Sequence, residues 1–231
     1  MRYSQALQNL PGTCKARHLP QDTRVISIWN SNVINLQKNQ GINLSKDHAH
    51  VRRFLVDTKW DVNAAAQSRL DQFEVNVSAF LLNHKTGKPL AARDEDFVFY
   101  NNRQDPTGAV VHRPDDWQDG DDAMTLDLDI LAAQNPGVDE VSLIVEIYEG
   151  LKRRQNFGHI NHTTAVINDA DTKTPIAQFR LTEDDATYTA VQMGSFVREN
   201  GDWHFKAIGT GYNKGLAAFL SAYGLQAADE E

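Results

Sequence analysis

The densest chemistry in the chain lies in the stretch Val110 to Asp129, VVHRPDDWQDGDDAMTLDLD. Asp115, Asp116, Asp119, Asp121 and Asp122 crowd together here around Gly120, where the backbone is free to turn tightly. Carboxylates at this spacing repel one another unless a positive charge sits among them. A hard cation taking roughly six to eight oxygen ligands, calcium first among them, would relieve that repulsion. A solvated Asp/Gly turn with no ligand is the competing reading, and these residues alone do not separate the two.

The EF-hand template fails on this stretch. A loop started at Asp115 puts Gly120 at the sixth place, but Trp117 falls at a ligand position and Leu126 where a bidentate Glu belongs. Met124, Leu126, Leu128 and Ile130 alternate with Thr125, Asp127 and Asp129, which predicts a half-buried strand running to Ile130 rather than a helix. An ion here would be held as in a β-sandwich, by several loops together. Phe73 to Leu82 (FEVNVSAFLL) predicts another strand, with Glu74 and Asn76 on one face; those two oxygen-bearing side chains either approach the acidic loop or lie on a solvated sheet face.

The elements that position these residues follow the same period. Strands are expected at Arg24–Trp29, Phe97–Tyr100, Ala109–His112 and Val141–Tyr148, with hairpins joining Thr163–Asn168 to Pro175–Leu181 and Thr189–Val197 to Trp203–Ile208. The approximate tandem INLQK (34–38) and INLSK (42–46) predicts two strands around a turn at Asn39–Gly41. Leu216, Phe219, Leu220 and Tyr223 sit at helical spacing, with Gly224 as the stop. The expected fold is all-β, an antiparallel β-sandwich with a short C-terminal helix, in one domain over residues 32–231 behind an N-terminal extension of residues 1–31.

Composition narrows the function classes. With 31 acidic against 23 basic residues the net charge is −8, which argues against nucleic acid as a partner and suits cations or basic surfaces. Cys14 is the only cysteine, so no internal disulfide forms and a reducing, cytoplasmic setting fits. No apolar run reaches the roughly 18 residues of a membrane span, and the first twelve residues do not read as a signal peptide. The chain has no G-x-S-x-G and no Walker motif. Gly209-Thr-Gly211-Tyr-Asn-Lys-Gly215 is one residue too long for G-x-G-x-x-G and lacks a surrounding βαβ unit, so a close strand-to-helix turn explains it better than a nucleotide does. Arg153 and Arg154 could hold an anion, but pairing with the surplus acids is the reading adopted.

Several segments in this order resemble the TerD family of tellurite-resistance and general-stress proteins: VSAFLL (77–82), DFVFYNN (96–102), GAVVH (108–112), DGDD (119–122), RRQNFG (153–158), IAQFRL (176–181) and AIGTGYNKGLAAF (207–219). The resemblance implies a non-catalytic, calcium-binding β-sandwich acting in stress resistance. It implies partners among other Ter-family or membrane-associated proteins, and a cytoplasmic location extending to the inner face of the membrane. The implied calcium ligands are Asp115, Asp119, Asp121, Asp122, Asn101, Glu74, Asp116 and Asn76. The chain departs from the family where three alternating aspartates are expected, carrying Gln72, Glu74 and Asn76 instead, and where Ala123 replaces an acid after DGDD. Each change lowers ligand charge, which leaves room for a metal-independent interaction module with a degenerate site.

Overall fold

The computed structural model describes residues 33–62, 73–113, 122–182 and 186–226. Among these, thirteen strands form two sheets stacked as a sandwich. The first strands in the chain are β1 (Ile34–Leu36), β2 (Gly41–Asn43), β3 (Arg53–Val62), β4 (Val75–Asn83), β5 (Leu90–Ala91), β6 (Phe97–Val98) and β7 (Val110–His112). There follow β8 (Asp122–Asp127), β9 (Glu140–Ile147), β10 (Ile160–Asp169), β11 (Pro175–Arg180), β12 (Ala190–Glu199) and β13 (Asp202–Tyr212). One sheet runs β1-β11-β10-β3-β8-β7 and the other β2-β13-β12-β9-β4-β5, with β6 also paired to β4. Every ladder is antiparallel except β1 with β11. The all-β sandwich expected from the sequence is the fold observed.

Alternation builds the core. Val75, Val77, Ala79 and Leu81 of β4 turn inward against Phe54, Val56, Met124 and Leu126 of the facing sheet. The other face of β4 is apolar too, because Phe80 and Leu82 meet Phe97, Phe99, Phe219 and Tyr223 in a second cluster outside the sheet. The helices are α1 (Leu44–Asp47), α2 (Leu128–Gln134), α3 (Gly150–Arg153) and α4 (Leu216–Ala222). Helix α4 covers that outer face; Phe219 is fully buried and packs edge-on against Tyr212. The Tyr223 hydroxyl, just past α4, hydrogen-bonds Ser142 of β9 at 3.0 Å. One end of α4 is therefore fixed to the sheet by a buried polar contact as well as by apolar burial.

Two expectations fail. The tandem INLQK/INLSK is not a hairpin, since β1 joins β11 in one sheet and β2 joins β13 in the other. The intervening turn, with Asn39 at φ 68°, carries the chain from sheet to sheet. The predicted strand to Ile130 stops at Asp127, whose side chain accepts from the Ile130 N–H at 2.9 Å and caps α2. The helix cap won over the alternating pattern. The strand expected at Arg24–Trp29 lies outside the described residues.

Candidate functional site

Two described residues, one on each side in sequence, flank the acidic stretch. Arg113 follows β7 and Asp122 opens β8, while Asp115, Asp116, Asp119 and Asp121 lie outside the described residues. Asp122 is 3% exposed. Its Oδ1 accepts from Arg113 Nε at 2.5 Å and its Oδ2 from the Val77 backbone N–H at 2.7 Å. The His112 ring approaches both oxygens through Nε2, at 3.1 and 3.2 Å. Burial opposes ionisation of Asp122, but His112, Arg113 and the Val77 N–H outweigh it and hold its carboxyl below the usual range.

The Val77 N–H is available for a physical reason. Tyr148 donates to the Glu74 carbonyl at 2.9 Å, so along this antiparallel ladder the main-chain groups of Asn76 and Ser78 face β9 and those of Val77 face away. β6 begins pairing only at Ala79, so among the described residues no strand covers Val77 on that side. Asp122 takes the place of the missing strand and ties one sheet to the other. Its carboxylate is an anchor with a cation already on it.

Of the remaining proposed ligands, Glu74 immediately precedes β4 and Asn76 is its second residue, on the face away from the inter-sheet core. Asn101 is exposed in the turn after β6. Two residues on, Arg103 donates from Nη2 to the Arg113 carbonyl at 2.6 Å, so this turn is fastened to the root of the acidic stretch. Asn101 is thus two residues from a contact with the root of the acidic stretch, and Glu74 is three residues before the Val77 that Asp122 holds. Glu74 carries a competitor, since Arg153 Nη1 lies 3.7 Å from its Oε1.

RRQNFG builds a tight connection beside Glu74. Glu149 and Arg154, at φ 50° and 56°, flank α3 in the left-handed region, and Gln155 N–H returns to the Gly150 carbonyl at 2.7 Å. The Asn156 side chain accepts from the Gly158 N–H at 3.1 Å. Arg153 pairs with Glu149 at 3.4 Å and lies 5.0 Å over the Tyr148 ring. It pairs with acids, as expected. The glycine run is likewise structural. Gly209 and Gly211 lie within β13, and a Cβ on Gly211 would collide with the Tyr188 ring.

Between the outer sheet face, α3 and α4 lies a cavity of about 470 Å³. Glu146 of β9, opposite Asn76, stands in its wall. Burial pushes its carboxyl up to about 7 against the restraining Leu216 N–H. Tyr100, on the same cavity, is pushed up to about 12 by burial first and then by Tyr148, Glu146 and Glu74. Glu146 was not recognised from sequence, because an acid alternating with apolar residues reads as solvent-facing. His112 and Arg113 were missed for a different reason: nothing local says that their partner is Asp122. Among the described residues no group of three His, Cys, Asp or Glu side chains is arranged to hold a metal ion by itself.

A two-sheet sandwich with a capping C-terminal helix, its sheets tied by the buried Asp122, defines the class of protein. The TerD domain model matches residues 33–223, and the chain belongs to that family. It is 35% identical over 199 residues to the tellurium resistance protein TerD of Serratia marcescens, covering 84% of this chain and 99% of that one. It is 32% identical over 194 residues to general stress protein 16U of Bacillus subtilis, covering 84% of this chain and 98% of the relative. The fold matches the crystal structure of a Streptomyces coelicolor homologue of the telluride resistance protein with a TM-score of 0.54 at 20% identity, over 78% of this chain and 99% of that one. This is a family of tellurium-resistance and stress-response proteins. Among the described residues no helix is long and apolar enough to cross a membrane.

Proposed function

We propose that this chain is a non-catalytic calcium-binding stress protein, acting in tellurite resistance through a calcium-ordered loop that docks a partner. One observation carries the reading: the Asp122–Val77 contact at 2.7 Å brings the acidic stretch to the strand that begins beside Glu74. The donor set is hard oxygen throughout, with Asp115, Asp116, Asp119 and Asp121 from the stretch and Glu74, Asn76 and Asn101 from the described frame. In this reading Asp122 serves as the anchor of the stretch and not as a donor, since its oxygens hold Arg113, His112 and the Val77 N–H. A bound dication would neutralise the crowded carboxylates and fix the stretch between its anchors. The partner is expected among Ter-family or membrane-associated proteins on the cytoplasmic side, and the net charge of −8 leaves nucleic acid out.

The Arg153–Glu74 contact favours a second reading, a metal-independent interaction module, since a guanidinium already occupies one donor. Calcium titration by calorimetry on metal-stripped protein separates them. The informative variant changes Asp115, Asp119 and Asp121 to Asn and spares Asp122, whose loss would disturb the fold. Heat of binding in the native chain that vanishes in the variant supports the calcium reading. No heat and no shift in melting temperature in the native chain leaves the metal-independent module.

A further inference from the structure

We propose that the cavity under α4 binds an organic monocation, a primary amine on an aromatic or branched apolar body, with Glu146 as its counter-ion. The cavity, about 470 Å³, falls within the roughly 300–1,000 Å³ of small-molecule sites. Phe97, Phe99, Leu216 and Leu220 supply apolar wall, and Tyr100 adds a ring that attracts an ammonium, the neighbouring Tyr148 ring being taken by Arg153. Glu146 shares the outer sheet face with Asn76, its partner in the β4–β9 ladder, and so turns its carboxylate toward this space.

That carboxylate is underused. It accepts from the Leu216 N–H, and among the described residues it has no ion-pair partner. Lys152, on the rim, is held by Glu149 at 2.8 Å. A carboxylate walled by hydrocarbon is costly to ionise unless a cation meets it. The walls select the kind of cation. A metal ion wants roughly six to eight converging oxygens, and among the described residues the acids of this lining are not grouped to hold one. An ammonium needs one carboxylate and a ring face, and its apolar body fills the rest. An anionic ligand would meet Asp94 and Glu149 as well as Glu146. Glu146 is not among the donors assigned to calcium, but Asn101 lines the same cavity and Asn76 is the ladder partner of Glu146, so calcium is removed in the test to keep the two readings separate.

The test is a titration of the full chain with 2-phenylethylamine and, in parallel, with its neutral analogue 2-phenylethanol, calcium being chelated throughout. Saturable one-to-one binding of the amine is expected, at least about tenfold tighter than the alcohol. Glu146→Gln should erase that preference, with thermal melting confirming that the variant folds. Equal binding of amine and alcohol by the native chain overturns the proposal without any variant. Unchanged amine affinity in Glu146→Gln, or no saturable binding of the amine, overturns it as well.

Discussion

The carboxylate of Asp122 receives the backbone N–H of Val77 at 2.7 Å, a contact between the first residue of β8 in one sheet and an unpaired position of β4 in the other. The same carboxylate holds Arg113 and His112, so the segment that carries the acidic stretch is pinned at both ends by one buried group. Removing it strands three donors at once. Asp122→Ala is expected to cost about 3 kcal/mol, as for other buried charge pairs broken on one side. Urea unfolding of the native chain and the variant measures it. A loss within about 0.5 kcal/mol, typical of surface substitutions, would show that the anchor is dispensable.

The pH dependence of Asp122 has a definite sign. Its carboxyl is held below the unfolded value of roughly 4. The stabilisation it brings is therefore complete above that value and is lost as pH falls through the lower folded one. Asp122→Asn should flatten the acid limb of a stability-against-pH curve. An unaltered acid limb would mean that other carboxylates govern acid unfolding.

Glu146 behaves oppositely. Its carboxyl is raised to about 7, so the folded chain binds a proton that the unfolded chain has released above roughly pH 4.5. Its contribution is fully present below about pH 4.5 and is lost as pH rises through 7, a drop of about 3 kcal/mol. Glu146→Gln should remove this decline and be the more stable chain at pH 8. Parallel profiles for the two proteins from pH 5 to 8 would refute the assignment.

Gly211 has no room for a side chain, because Tyr188 packs on it. Gly211→Ala should destabilise by about 1–3 kcal/mol, as overpacking does. Adding Tyr188→Ala should return part of that loss, which a double-mutant cycle reads directly. Additive losses would place the cause elsewhere than the ring. Either outcome bears on the glycine run, whose resemblance to a phosphate-binding loop ends at this contact.

Local pattern made much of the sandwich legible. The alternation of β4 and β9 and the Asn200-Gly201 turn, at φ 52° and 90°, specify strands and a hairpin within a few residues of chain. The tandem INL segments are the counterexample. Their local patterns are the same, and only their distant partners β11 and β13 send them to different sheets. The helix after Asp127 was legible in principle, through a capping aspartate, but the alternating residues around it pointed the other way. The site divides similarly. The oxygen donors announced themselves by type, whereas Glu146 acquires its properties from α4, which covers it from far along the chain.

Arg153 gives the most direct way to separate the two functional readings. Its guanidinium lies 3.7 Å from Glu74 and 3.4 Å from Glu149, and rests on the Tyr148 ring. These contacts are partly exposed, so Arg153→Gln should cost only about 1 kcal/mol of stability. If Glu74 is a calcium donor, the guanidinium competes with the ion, and its removal should tighten calcium severalfold even as the protein melts earlier. Opposite movements of affinity and stability cannot arise from general loosening of the fold. Calorimetric titration alongside thermal melting of the same variant reads both. Calcium affinity that falls in step with stability would remove Glu74 from the donor set, and absent binding in both proteins would leave Arg153 as a structural brace of a metal-independent module.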